Sequence, residues 1–150
     1  MICDRSGVPL HFVLSPGQTH DAAMFDELMV ETDRNLVSEQ GKPIAWPLAE
    51  SGDKGYRANW IDEYLLGLGI KPVIPSKANE DRHARRVEFD REAYRERNIV
   101  ERLIGWLKES RRVLCRFEKT AINFAGMVRL AFIRRLFRIL MTQYEFTDRA

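Results

Sequence analysis

Between Tyr94 and Lys108 the chain reads Tyr-Arg-Glu-Arg-Asn-Ile-Val-Glu-Arg-Leu-Ile-Gly-Trp-Leu-Lys. On a single α-helix at about 100° per residue, with Glu101 as origin, Tyr94 falls at about +20°, Arg97 at about −40°, Lys108 at about −20° and Arg112 at about +20°. One carboxylate thus lies in a stripe of cations beside a phenol. Ile99, Leu103, Ile104, Trp106, Leu107 and Leu114 fall on roughly the opposite side, which predicts a helix with a core face and a chemical face. A lone Glu among Arg and Lys suits a hard divalent cation and a phosphate bound together. Periodicity by itself favours a plainer reading, a solvated charged face, because Arg97 and Glu101 form an ordinary i,i+4 pair.

A second carboxylate that could share such a cation is Asp53. The stretch Ile44 to Asp53 reads as a short strand running into the small-residue turn Gly52-Asp53-Lys54-Gly55-Tyr56, and α/β sheets hold their ligands just beyond strand ends. Magnesium takes one or two protein carboxylates and completes its shell with water and substrate phosphate. Two such ions roughly 4 Å apart hold the attacking and leaving oxygens of an in-line phosphoryl displacement. With 22 acidic residues in the chain, the Asp53 and Glu101 pair is a weak signal until something else singles it out.

The elements that must position these groups follow from local chemistry. Met1-Ile2-Cys3 ends a strand, Asp4-Arg5-Ser6-Gly7 is a tight turn and Val8 to Leu14 is a second strand. A first arm of three residues hints at a chain that begins inside a larger domain. Thr19 or Asp21 is expected to cap a helix from Ala22 to Val30, and a polar loop runs from Asn35 to Pro43. A helix opening near Asn59 stops at Gly67-Leu68-Gly69, and Ile70 to Ile74 is a strand, so the strand, helix, strand order predicts parallel pairing with the strand before Asp53. Pro75 to Arg86, with Lys77, Arg82, Arg85 and Arg86, reads as a mobile basic loop. One continuous helix is expected from Glu88 or Asp90 to Val113, then a break over Arg116 to Lys119. A closing helix from Asn123 to Met141 has an apolar side (Phe124, Met127, Val128, Ala131, Phe132, Leu136, Phe137, Leu140) able to cover the sheet.

Composition bounds the answer. The chain of 150 residues suffices for one domain with a real core, and 45% hydrophobic with 31% charged residues is ordinary for a water-soluble protein. The net charge of +2 hides an asymmetry: Arg95 to Arg138 holds twelve Lys and Arg against four Glu, a half that attracts polyanions. Cys3 and Cys115 have no metal-ligand spacing, and nothing before Cys3 resembles a signal peptide, which fits free thiols and a cytoplasmic location. Arg129, Arg134, Arg135 and Arg138 interrupt the apolar run from Ala121 to Met141, so it is a basic amphipathic helix rather than a membrane span.

Tyr94, two residues, Arg97, three residues, Glu101, six residues, Lys108 resembles the Tyr-(2)-Arg-(3)-Glu-(6)-Lys signature of bacterial insertion-sequence transposases of the group covering insertion-sequence families four and five. Further stretches are similar to the same family in the same order: Gly7-Val8-Pro9-Leu10, Pro16 to Asp21, Gly52 to Tyr56, Gly69 to Pro75, Ser110-Arg111-Arg112 and Arg116 to Lys119. The resemblance covers nearly the whole chain. It implies an α/β, ribonuclease-H-like core with long C-terminal helices, and one partial catalytic domain over residues 1–150. It also implies an acidic triad of Asp, Asp and Glu that binds two Mg2+ ions. In such enzymes water nicks DNA at the element's end, and the freed 3′-hydroxyl attacks the target strand. Carried over by position, Asp53 matches the second Asp and Glu101 the Glu, both as metal ligands, and Tyr94, Arg97 and Lys108 match the accessory residues. DNA contacts are expected from Lys54, Arg97, Lys108, Arg111 and Arg112, and the implied partners are the element's ends, target DNA and further copies of the chain.

The departure is the first Asp. It belongs in an earlier strand than any this chain contains, and that strand is central in ribonuclease-H-like sheets, so the core is expected to lack it. Asp4 sits in turn chemistry and matches a noncatalytic hairpin turn, while Asp21 reads as a cap and His20 as structural. Two explanations stay open: a remnant of a disrupted element, or the second frame of a transposase joined to an upstream frame during translation. The competing functional readings are a catalytically inactive DNA-binding fragment able to interfere with a full transposase, which predicts salt-sensitive affinity without cleavage, and a helix-turn-helix regulator built from the last two helices. The long break before the closing helix counts against the regulator.

Overall fold

The computed structural model describes residues 1–81 and 85–147, with side chains described through residue 142. Arg82, one of the cations expected in the basic loop, lies outside the described residues. The chain divides into two compact units, Met1–Ile2 with Leu10–Asn98, and Cys3–Pro9 with Ile99–Ala150.

Strands β1 (Ile2–Cys3) and β2 (Pro9–His11) form a two-stranded sheet. The turn between them is made by Asp4, whose Oδ1 accepts from the Ser6 and Val8 N–H groups at 2.9 and 2.8 Å. That carboxylate substitutes for backbone partners, the local role expected of Asp in a turn. The second strand is shorter than the Val8 to Leu14 run predicts.

The first unit is built on helix packing against a parallel strand pair. Residues Asp21–Met24 make a 3₁₀ turn that leads into helix α1 (Phe25–Asn35), which ends five residues later than predicted. Neither Thr19 nor Asp21 caps it: the N-cap of the 3₁₀ turn is His20, with no side-chain cap bond, and Asp21 sits in the first turn. Phe25, Leu28 and Met29 are buried. They pack in one cluster with Ile2, Ile61, Leu65, Ile70 and Ile74. Strand β3 (Ala49–Ser51), a second 3₁₀ turn (Lys54–Tyr56), helix α2 (Asn59–Gly67) and strand β4 (Lys71–Val73) follow. The expected parallel pairing is present, in the register Ala49↔Lys71, Glu50↔Pro72 and Ser51↔Val73. Helix α2 stops because Gly69 takes φ +76°, a left-handed conformation that lets the Gly69 and Ile70 N–H groups reach back to the Leu66 and Leu65 carbonyls. The two strand pairs are separate two-stranded sheets.

The described residues of the expected basic loop after β4 have no regular structure, and two of them, Glu80 and Arg85, are tied to the rest of the first unit. Arg85 donates from Nε and Nη2 to the two carboxylate oxygens of Asp62, at 2.8 and 2.9 Å, and from Nη1 to the Ile74 carbonyl. Arg57 donates from Nε to Glu80 Oε2 at 2.9 Å and from Nη2 to Glu80 Oε1 and to Asn59 Oδ1, while its Nη1 lies 3.3 Å from Asp62. The Arg57 and Arg85 side chains are each only 3% exposed. Two buried guanidiniums facing two carboxylates hold this segment at two points, and charged side chains are this deeply enclosed only when paired.

The helix expected to run unbroken from Asp90 to Val113 is three: α3 (Arg91–Arg95), α4 (Asn98–Lys108) and α5 (Arg111–Leu114). Asp90 does cap the first, its Oδ1 accepting from the Ala93 N–H at 2.9 Å. The interruption at Glu96 and Arg97 removes the premise of one stripe from Tyr94 to Arg112. Tyr94 and Arg97 belong to the first unit and Glu101 and Lys108 to the second. Beyond the break at Arg116, where φ is 45°, helix α6 (Ala121–Thr147) begins. Val128, Ala131 and Phe132 are buried on it, whereas Leu136, Phe137 and Leu140 of its expected core face are exposed. Among the described residues no helix is long and apolar enough to cross a membrane.

Two stability measurements follow. Asp62→Ala leaves the buried Arg85 guanidinium without a carboxylate and is expected to cost about 3–5 kcal/mol in urea unfolding. Glu50, in β3, has its carboxyl pushed up to about 7 by burial, from an ordinary 4.5. Between those values the folded chain keeps a proton that the unfolded chain releases, so Glu50 makes stability fall as pH rises across the window. Glu50→Gln should therefore raise stability by about 1–3 kcal/mol above pH 7, with the gain vanishing below about pH 4.5.

Candidate active site

Asp53 sits two residues past the last paired residue of β3, at the end of the strand where parallel pairs leave room for ligands. It is the N-cap of the 3₁₀ turn Lys54–Tyr56, its Oδ1 accepting from the Gly55 N–H at 2.8 Å. A Cβ on Gly55 would fall 2.9 Å from Asp53 Oδ1, the atom its own N–H binds, and 3.5 Å from Asp21 Oδ2. The carboxylates of Asp21 and Asp53 therefore both lie close against Gly55. Tyr56, half-buried beneath them, has its hydroxyl pushed up to about 12, first by burial and then by the negative charges of Asp21 and Asp53. Oxygen donors carrying two negative charges beside one glycine are the donor set that a magnesium-like cation prefers, so the residues present fit one. Among the described residues, three or more His, Cys, Asp or Glu side chains do not gather at any one point.

Asp21 is the residue that sequence reasoning missed here. Its position after Gly17-Gln18-Thr19-His20 suggests a cap, and nothing in a linear reading brings it to residue 55. The contact comes from the 3₁₀ turn ahead of α1 lying against the one after β3. His20 has no cap bond, and Asp4 is used up in its turn.

The other expected site residues divide between the two units. In the first, Lys54 is exposed on the turn beside Asp53. The Arg97 guanidinium lies 5.1 Å from the Tyr94 ring centroid, and Phe89 meets the same ring edge-on at 5.2 Å. Tyr94 thus has a stacking role, toward Arg97. In the second, Glu101 stands in the first turn of α4 and Lys108 in the last, both exposed. Seven residues is about two helical turns, so these two do share a face, with Leu103 and Leu107 buried on the other side. Arg111 lies 5.8 Å over the Phe117 ring, and Arg112 pairs with Glu118 at 3.2 Å. Ser110 precedes α5 as N-cap without a side-chain bond. The arrangement supplies oxygen ligands at one strand end and, separately, a carboxylate and several cations on a short run of helices, the components of phosphodiester chemistry.

Comparison with known proteins bears on these residues as a set. A protein described as "Putative transposase for insertion sequence element IS402", from Burkholderia cepacia, is 28% identical over 130 residues, which are 87% of this chain and 57% of that protein. The chain thus spans little more than half the length of that relative. No solved structure matches the chain. The family model for the transposase DDE domain matches residues 1–136, a span holding every candidate residue described above, and the protein belongs to the DDE transposase family.

Proposed function

We propose that these 150 residues are part of the ribonuclease-H-like catalytic domain of an insertion-sequence transposase, of the group marked by the Tyr94, Arg97, Glu101 and Lys108 spacing. The activity is cleavage of DNA at the element's ends and transfer of the freed strand to target DNA. The observation that carries this reading is Asp53 just past the end of a parallel strand, with the Asp21 carboxylate brought to the same glycine, Gly55.

In this reading Asp53 and Glu101 are the second and third carboxylates of the acidic triad and hold Mg2+. The first Asp comes from a segment outside these residues. When bound, the cations supply charge that favours attack on, and departure from, phosphorus. The chain's own groups do the rest. The Gly55 N–H bond fixes one Asp53 oxygen and so sets the direction of the other. Lys54 and Lys108 contact phosphates, and Arg111 and Arg112 bind the backbone of the same DNA without reading its sequence. Tyr94 stacks on Arg97 and limits the arginine's rotamers, which favours one phosphate-binding geometry. The basic excess from Arg95 to Arg138 draws DNA to this half of the chain. The working assembly is an oligomer on paired element ends, in the cytoplasm.

The test is strand cleavage on DNA carrying the element's ends, with Mg2+ and the segment encoded upstream supplied together with this chain. Glu101→Gln and Asp53→Asn should each lower the cleavage rate by more than about a hundredfold while leaving thermal unfolding close to the parent. Cleavage at the parental rate by Glu101→Gln refutes its role. Salt-sensitive DNA binding with no cleavage under any metal condition would identify an inactive DNA-binding remnant instead.

A further inference from the structure

Two carboxylates and two arginines form the buried network of the first unit, and one of these carboxylates does more than pair charge. Glu80 Oε2 accepts from Arg57 Nε at 2.9 Å and also from the backbone N–H of Lys77 at 3.1 Å. Glu80 Oε1 takes a second bond from Arg57 Nη2. Burial works against the charged form of Glu80, but Arg57 and the Lys77 N–H outweigh it and hold the carboxyl below its usual value. Arg57 is the residue directly after the Lys54–Tyr56 turn that Asp53 caps. The Lys77 backbone is therefore tied, through one charged side chain, to the end of the Asp53 turn.

The strand register shows where this puts Lys77. β3 and β4 run parallel with Ser51 opposite Val73, and the Gly52 N–H continues the ladder to the Val73 carbonyl at 3.4 Å. Ile74 Cγ1 lies 3.3 Å from where a Gly52 Cβ would stand, and Val73, Ile74 and Pro75 are all buried. Asp53 and Lys77 thus leave the same end of one parallel pair, the end at which such sheets hold their ligands. The Lys77 side chain is exposed there, and its three donors suit a phosphate oxygen. A buried ion network is a costly way to gain stability, since well-packed apolar groups often do as well. What it gives over them here is a fixed backbone path for one exposed lysine.

We propose that Lys77 contacts a phosphate of DNA bound at Asp53, and that Glu80, clamped by Arg57, is the residue that positions it. The inference rests on the reading that DNA binds at this strand end. Glu80 and Arg57 touch no substrate; they act through the Lys77 backbone.

The experiment measures the affinity of the whole chain for a short mixed-sequence DNA duplex as a function of salt. Lys77→Gln should make the slope of log affinity against log salt shallower by about one, the signature of a lost phosphate contact. Lys42→Gln, which removes the same charge from an exposed loop, should leave the slope nearly unchanged. Glu80→Gln separates positioning from charge. Losing a negative charge should by itself tighten DNA binding, whereas losing the clamp should weaken it, with folding followed by circular dichroism. Weaker binding by a folded Glu80→Gln chain supports the proposal; equal or tighter binding overturns the role of Glu80. Should Glu80→Gln fail to fold, Lys77→Gln decides alone, and a slope change no larger than that of Lys42→Gln overturns the proposal. Absence of salt-sensitive binding by the parent would instead remove the DNA-binding reading on which the inference stands.

Discussion

The first unit depends on how Arg57 is satisfied. Its guanidinium is enclosed, carries five donors and cannot lose its charge, so the chain around it must supply acceptors or expose it. Asn59 and Asp62 lie on the helix it leads into, while Glu80 comes from beyond the next strand. Asp62 then shares its charge with Arg85, which also takes up the Ile74 carbonyl at the end of the parallel pair. One buried cation thereby links the Asp53 turn, the start of α2, the strand end at Ile74 and the segment that follows it. Lys71 with Asp90, at 2.9 Å, adds a further tie at the start of α3, but it is solvent-exposed and contributes little by comparison.

This network shows what composition could not reveal about Glu80 and Arg85, in the segment that follows β4. A run rich in Lys, Arg, Asp and Glu with little to bury looks solvated, and locally it is. The ties of Glu80 and Arg85 come from partners 23 residues away in sequence, Arg57 for Glu80 and Asp62 for Arg85, a separation at which no local pattern operates. The break in the expected long helix has a similar origin. Residues Tyr94 to Arg97 have acceptable helix propensity, but the stacking of Tyr94 on Phe89 and of Arg97 on Tyr94 ties them to the residues before them, while Leu103 and Leu107 are buried in the other unit. Propensity is a weak prior when tertiary partners differ along one stretch.

Features with a short-range cause were legible. The Asp4 turn, the glycine stop after α2, the Asp90 cap and the parallel pair each follow from residues within a few positions of the event or from a strand, helix, strand order. Asp53 at a strand end was legible for the same reason. Asp21 beside it was not, because its approach to Gly55 results from two 3₁₀ turns meeting across the first unit. The Tyr94 to Lys108 spacing is different in kind: its residues do not form one continuous helix, so the single stripe expected from periodicity is absent.

The cations of the second unit are not equivalent for binding a polyanion. Arg112 is engaged by Glu118, so a phosphate must compete with a carboxylate for it. Arg111 lies over Phe117 and Arg116 over Phe124, contacts that occupy no hydrogen-bond acceptor and so leave their donors for a phosphate. A stacked arginine has also lost part of its rotamer freedom before any ligand arrives, which lowers the entropy cost of fixing it on a phosphate. Arg135 over Trp106 is half-buried and serves packing between α4 and α6 more than the surface. Arg111 and Arg116, exposed and each over an aromatic ring, are therefore better prepared for a polyanion than the ion-paired Arg112, although the sequence reading expects such contacts from Arg111 and Arg112 and not from Arg116.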